Sequence, residues 1–472
     1  WGRFDISAAT EIVMDLVSHS RLQFAITTAF HILFPTFTIG LAFFLVILEI
    51  LWLRSKDEMF YRMYRFWVKI FALHFAVGVV SGITLEFEFG TNFALFSQYV
   101  ANVMAPLLAF EGMTAFFLEA GFLGIMLFGW NRVSPGIHFL STCLVALGAT
   151  LSSFWIMAAN AWMQTPSGFD IVDGELMVRS FREVIFNPAF PTHLGHMVLA
   201  AYETTAFAVA GISAWFLLKN EHVAFYRRSL KIALMMAVVV APAQVFIGDM
   251  KGLVTARHQP AKLAAMEGHW ETNTEGGAAF NLFAVPDMAA ERNRLELSIP
   301  NGLSLLITHS RDGQVQGLKD FPREDRPNAL ITYWSFRIMV GIGFLFIGVM
   351  IWAAILAFRK RVYESTRFLK TLIFIQPMGF LAVVMGWITT EVGRQPWAVY
   401  GLMRTTDGVS PIHAGNVLWS LGMFIAFFVI IGSSYFHYIF RILRNGPDLT
   451  SPIPPVQIPS GMRPVEEALK EA

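Results

Sequence analysis

Nine stretches of the chain stay apolar for twenty residues or more, about the length of helix that crosses the roughly 30 Å of hydrocarbon in a bilayer. They lie near residues 24–53, 66–89, 103–130, 137–163, 190–218, 227–248, 331–358, 369–391 and 412–440. The predicted fold is an all-α polytopic membrane protein with nine transmembrane helices. Composition agrees, with 55% hydrophobic and only 15% charged residues, a balance too poor in charge for a soluble chain of this length. A net charge of +1 argues against nucleic acid as a partner. The single cysteine, Cys143, excludes a disulfide framework and any Cys-based iron–sulfur or zinc site, so metal chemistry must use His, Met and carboxylate. Residues 1–20 carry acids and lack a continuous apolar core, so no cleavable signal peptide is expected there.

Lys and Arg in the connections set the expected orientation. The loops after spans one, three, five, seven and nine carry sixteen basic residues, those after two, four and eight only Arg179, Arg182, Arg394 and Arg404. The amino terminus is therefore expected outside and the carboxyl terminus inside. The chain divides into helices one to six (1–248), a large outer loop (249–330), helices seven to nine (331–446) and a Pro-rich inner tail (447–472). The long loop holds apolar patches at 280–285 and 303–307, which favours a folded flap over a disordered one. No internal repeat is visible.

Orientation turns sequence position into depth. His31 falls in the outer half of span one. Span three, LLAFEGMTAFFLEAGFLGIMLF, brings Glu111 into the outer half and Glu119 about 12 Å further in, at 1.5 Å per residue. Span five delivers His193 and His196, span seven Arg337 and Met339, span eight Glu391 and Arg394. Five helices thus place His, Met, Glu or Arg in one outer layer. A carboxylate at bilayer depth is costly unless it meets a cation, a proton or a metal, which makes Glu111 and Glu119 functional candidates. Glu86 and Glu88, near the outer end of span two, could be satisfied by solvent or head groups.

Imidazole and thioether are the axial ligands of a low-spin haem, and His or carboxylate suits a haem with an open position for a small gas. Nearby arginines match haem propionates through charge-assisted hydrogen bonds. Plainer readings compete. A membrane histidine can be only a helix-to-helix donor, and most of the 22 methionines are core filler. His74, His138, His413 and His437 look structural. Lys262 and Glu267, taken alone, read as part of a solvated loop.

The motifs SRLQFAITTAFH (ending at His31), LEFEFGTN, FEGMTAFFLEA, ALGATLSSFWI (with Ser152), NAWMQTP, HLGHM (with His196), KLAAMEGHWET, FRIMV (with Met339) and GWITTEVGRQPW span essentially the whole chain. With them the chain resembles subunit I of the cytochrome bd-type quinol oxidases, in a short-loop form that also occurs among the cyanide-insensitive oxidases. The resemblance implies a bacterial inner-membrane terminal oxidase that oxidises quinol, reduces O2 to water and builds a proton motive force. It implies a low-spin haem b held by His196 and Met339. It also implies a high-spin haem b and a haem d, or a further b-type haem, for which His31, Glu111 and Glu391 are the ligands, with Arg337 and Arg394 beside the cofactors. Glu119 and Ser152 match an inner-side proton route, and Lys262 and Glu267 match quinol-linked residues of the outer loop. A second large membrane subunit and a small single-span one are implied as partners. The competing class is a proton-coupled or metal transporter, which predicts broken helices near the midplane and repeat symmetry.

Overall fold

The computed structural model describes the chain from residue 6 to 450 and at residue 453, with side chains from residue 15. Most of the proposed inner tail lies outside the described residues, as does the start of the segment read for a signal peptide. Among the described residues, nine helices are long and apolar enough to cross a membrane. The first runs Ile6–Ser55 and the second Glu58–Thr91; between them Asp57 caps the second by accepting from Met59 N at 2.9 Å. Asp57 also pairs with Arg228 at the start of the sixth span, tying two basic turns at one end of the bundle. The fourth span, Pro135–Gln164, opens with Ser134 as N-cap and proline at the first helical position. The fifth is Phe190–Leu218, the seventh Ala329–Phe358 and the ninth Ala414–Asn445.

The first two spans begin well before their predicted starts, and three others differ further from the sequence reading. The sixth continues through Asp249, Lys251 and Arg257 to His258, ten residues past its predicted end. Hydropathy marks where lipid contact stops, whereas a helix runs on as long as its polar turns find partners. The third is α-helical over Ala101–Phe110 and Phe117–Phe128 but turns as a π-helix over Glu111–Phe116. π-turns are rare and frequent at functional sites, and this one begins on a predicted site residue. The eighth is made of Thr366–Ile375 and Met378–Val392, parted at Gln376 and Pro377, where the pyrrolidine ring removes a helix donor.

The spans pack through large aromatics and small residues. Phe44, Tyr64, Trp67, Phe207 and Phe346 are fully buried, and Phe207 stacks on Phe346 at 3.9 Å to join spans five and seven. The predicted flap is folded. Helix Pro260–Glu267 leads into an antiparallel hairpin, Phe280–Asp287 with Arg292–Ile299, and then into helix Gly302–Thr308. The two apolar patches become a strand and that last helix. Ala261, Ala264, Ala265, Trp270 and Leu318 give the connection a core of its own, with Ala329 of span seven. Two further short hairpins, Phe169–Val172 with Glu175–Val178 and Trp397–Val399 with Met403–Arg404, stand after spans four and eight. Alternation of the spans puts all three at one end of the bundle, called here the connection end.

Candidate functional site

At the connection end, the short helix Pro260–Glu267 lies across the ends of spans four, seven and eight. Lys262 and Glu267 are 6% and 4% exposed, so the solvated-loop reading does not hold for them. Lys262 Nζ donates to Gln164 Oε1 at 2.5 Å. Gln164 Nε2 in turn donates to Glu391 Oε1 at 3.3 Å, and Asn160 Nδ2 donates to the same oxygen at 2.9 Å. Arg394, one turn beyond Glu391, pairs with its other oxygen. A Cβ on Gly393 would stand 2.9 Å from Lys262 Cγ, so the lysine stem packs against the tip of span eight. Burial, then the charge of Arg394, pushes the Lys262 ammonium well below its usual range. A neutral amine there can accept a proton.

Gln164 and Asn160 were not singled out from the sequence, although both sit in NAWMQTP. Their signal was present as two polar residues four apart, on one face at the end of an apolar helix.

Glu267 takes a different partner. Arg337 Nη2 donates to Glu267 Oε2 at 2.6 Å, and Arg337 Nε donates to the Asn281 carbonyl at 3.0 Å. The guanidinium also lies over Phe280 and Tyr333, 4.6 and 4.7 Å from their ring centres. Arg337 was expected to face a cofactor carboxylate, yet most of its donors hold the hairpin; only Nη1 is buried without a partner. Arg394 keeps more, with Nε and Nη1 both unanswered.

The other predicted residues fall into separate groups. Ser152 Oγ donates to Glu111 Oε1 at 2.8 Å, so the serine is joined to Glu111; Glu119 lies further along span three. Glu119 is buried against Gly148, where a Cβ would come within 2.5 Å of its Cγ. His31 Nδ1 is 3.0 Å from Ser81 Oγ. Because that hydroxyl already donates to Val77 O at 2.8 Å, it accepts from Nδ1–H, which leaves the Nε2 lone pair of His31 free for a ligand. Glu86 is exposed as expected, but Glu88 is fully buried, turned by the helix onto the face against span one.

His196 and Met339 come from spans five and seven; His196 faces Gln244 and Gly248 of span six, and Met339 faces Gly386 of span eight. His196 Nδ1 is buried without a partner, and Gln244 Nε2 approaches its Nε2 only at 3.5 Å. A Cβ on Gly386 would stand 2.9 Å from Met339 Sδ, so that glycine makes room for the thioether. An unanswered imidazole, a thioether lodged against a glycine, a histidine with one free nitrogen and guanidinium groups with spare donors fit haem iron and haem propionates.

A bundle of membrane helices with such a donor set at one end has the make-up of a membrane-bound cytochrome oxidoreductase. Comparison makes this specific. The family model for "Cytochrome bd terminal oxidase subunit I" matches residues 19–447. The chain is 38% identical to "Cytochrome bd ubiquinol oxidase subunit 1" of Bacillus subtilis (strain 168), over 90% of this chain and 93% of the relative. It is 34% identical to "Cytochrome bd-II ubiquinol oxidase subunit 1" of Escherichia coli (strain K12), over 94% and 99%. Its fold superposes on the bd oxidase structure from Geobacillus thermodenitrificans with a TM-score of 0.85 at 32% identity, covering 92% of this chain and 99% of that one. The chain belongs to the cytochrome bd terminal oxidase subunit I family. It is a haem-containing, multi-pass protein of the bacterial cytoplasmic membrane, and the transporter alternative is set aside.

Proposed function

We propose that the connection end of this oxidase subunit is its quinol-oxidising and haem-bearing layer. Three haems are assigned: a low-spin haem b on His196 and Met339, a high-spin haem b, and a haem d or further b-type haem, the last two sharing His31, Glu111 and Glu391 as ligands. When bound, these groups carry electrons and reduce O2. The chain's own residues handle protons. Lys262, whose ammonium is pushed well below its usual range by burial, accepts a proton from a quinol hydroxyl brought within about 3 Å. Glu267, held by Arg337, positions the ring from the other end of the short helix. Glu119 and Ser152 supply the carboxyl and hydroxyl needed by a route for protons drawn from the opposite side, with Ser152 handing on to Glu111. Releasing quinol protons on one side and taking protons for water from the other separates charge across the membrane.

The observation that carries this reading is the chain Lys262–Gln164–Glu391. It links a proposed quinol residue to a proposed haem ligand through one side chain. Arg394 remains beside Glu391 with two donors for a haem carboxylate, and Arg337 contributes Nη1. The connection end faces the periplasm in this scheme, with the amino terminus there and the carboxyl terminus in the cytoplasm. A second large membrane subunit and a small single-span one complete the complex.

The test is a dithionite-reduced minus air-oxidised spectrum of the purified complex, with pigment extraction, for the parent and Met339→Leu. The parent should show b-type bands with or without a chlorin band, and the variant should lack the low-spin component. Unchanged low-spin haem in Met339→Leu would sink the ligand assignment. Lys262→Gln should keep the spectrum and slow quinol oxidation to a residual rate.

A further inference from the structure

Spans one and two face each other across a seam of polar side chains that none of these roles uses. On span one Ser20, Gln23 and Thr27 recur every three or four residues, and the next turn carries His31. On span two Asn92, Glu88 and Ser81 run the opposite way. Packing sets the two rows together. Phe24 lies edge-on to Phe89 at 6.1 Å and to Phe93 at 5.7 Å, Glu88 sits beside Thr27, and Ser81 meets His31. From Ser20 to His31 the seam is about 16 Å long at 1.5 Å per residue.

Ser20, Gln23, Thr27, Ser81, Glu88 and Asn92 are each no more than 2% exposed. Yet Ser20 Oγ, Gln23 Nε2 and Asn92 Nδ2 have no hydrogen-bond partner among the described residues, and the two oxygens of Glu88 share at most one, the Thr27 hydroxyl beside them. The amide oxygens are used, since Gln23 Oε1 accepts from Ser420 Oγ and Asn92 Oδ1 from Thr91 Oγ1, both at 2.8 Å. That fixes the idle groups as amide donors, a hydroxyl and one carboxylate. Buried polar groups are almost always satisfied, so this many in one seam point to something small that both donates and accepts. A metal ion would leave the amide N–H groups idle, and a haem propionate would meet Glu88 with like charge. Water does both jobs, and it occupies polar spaces that offer it two to four partners.

We propose that the seam between spans one and two holds an ordered string of water molecules anchored on Glu88, a hydrated passage from the His31 layer to the connection end. Its destination rests on the oxidase reading, because water formed by O2 reduction near His31 has to leave; the waters themselves rest on the seam alone.

Cryo-electron microscopy of the complete haem-loaded complex, at a resolution that shows water, tests it. The expected result is density within hydrogen-bonding distance of both Glu88 oxygens and Thr27 Oγ1, continuing toward Ser81. A dry seam in which Ser20, Gln23, Glu88 and Asn92 are answered by side chains alone, or a haem carboxylate filling it, overturns the proposal. In turnover, Glu88→Leu should slow oxygen consumption several-fold with an unchanged haem spectrum, and Glu88→Gln, which still binds water, should restore it. Full turnover in a folded Glu88→Leu complex overturns the passage. Water in the seam with no haem at His31 would leave the seam standing and overturn the assignment of His31 as a haem ligand instead.

Discussion

Two clusters of buried polar groups, one toward each end of the bundle, are treated in opposite ways. Away from the connection, Glu49, Tyr64, His138 and Thr142 are all almost wholly buried and answer one another. His138 Nδ1 meets Glu49 Oε1 at 2.6 Å, and Thr142 Oγ1 donates to Glu49 Oε2 at 2.6 Å. Tyr64 OH reaches Thr142 Oγ1 at 2.7 Å, and His138 Nε2 meets the Met126 carbonyl at 3.2 Å. At the connection end His193, His196, Arg337, Arg394, Gln244 and Glu88 all keep buried atoms without a partner. A closed network locks four helices together and has nothing left to bind with. An open one is what a protein presents when its partners are cofactors, substrate and water. The contrast supports the reading of His138 as structural and the proposed role of His196 as a ligand.

The largest expected effect falls on the open end. Replacing His196 or Met339 by leucine should remove the low-spin haem and cut quinol oxidation by about a hundredfold or more, equivalent to about 2.7 kcal/mol of barrier, as read by spectrum and oxygen uptake. At the closed end, Glu49→Ala should do the reverse. Breaking a buried pair costs about 3–5 kcal/mol, so thermal unfolding of the complex in detergent should shift sharply downward while the haem spectrum of the folded fraction stays the same. A changed spectrum with unchanged stability would break the comparison.

Gln164→Leu tests the join between quinol and haem residues. Stranding the Lys262 amine should slow quinol oxidation about tenfold, in line with about 1–3 kcal/mol for a buried group left unsatisfied, with haem content retained.

The pH profile sharpens the same point. Burial and Arg394 lower the Lys262 ammonium, so its neutral form exists above the folded-state value and is lost as pH falls through it. Quinol oxidation should therefore decline on acidification along a limb that Lys262→Gln lacks. Stability has the same sign. The unfolded chain binds this proton more readily, so the penalty is full below the folded value and eases as pH rises toward the ordinary lysine range.

The smallest effect belongs to Arg179, whose pairs with Asp170 and Glu183 are more than half exposed. Arg179→Ala should change stability by no more than about 0.5 kcal/mol.

Much of this was legible in the sequence because lipid enforces a simple rule: apolar runs of the right length become spans, and charged residues inside them stand out. That rule reached the nine helices and the layer holding His31, Glu111, His196, Met339 and Glu391. It could not reach the π-turn at Glu111, because apolar residues fill an α- or a π-turn equally well. Nor could it tell Glu86 from Glu88, two positions apart, since which one faces a neighbouring helix depends on how the helices rotate against each other. Arg337 was read as a cofactor donor from its charge and depth alone; its engagement by Glu267 and Asn281 depends on where the hairpin docks. Gln164, Asn160 and Ser81 escaped because uncharged polar residues cost little enough in a membrane span to pass unnoticed.

Two glycines carry a consequence of another kind. Gly386 faces the sulfur of Met339, and Gly82 faces His31, where a Cβ would stand 3.1 Å from the ring. Both positions are defined by an atom that is missing. In a survey of every single substitution, such sites register as intolerance to alanine, the mildest replacement there is. The proposed haem ligands His31 and Met339 should therefore show themselves in growth data through the glycines opposite them, where one added methyl group is refused, before any haem is seen.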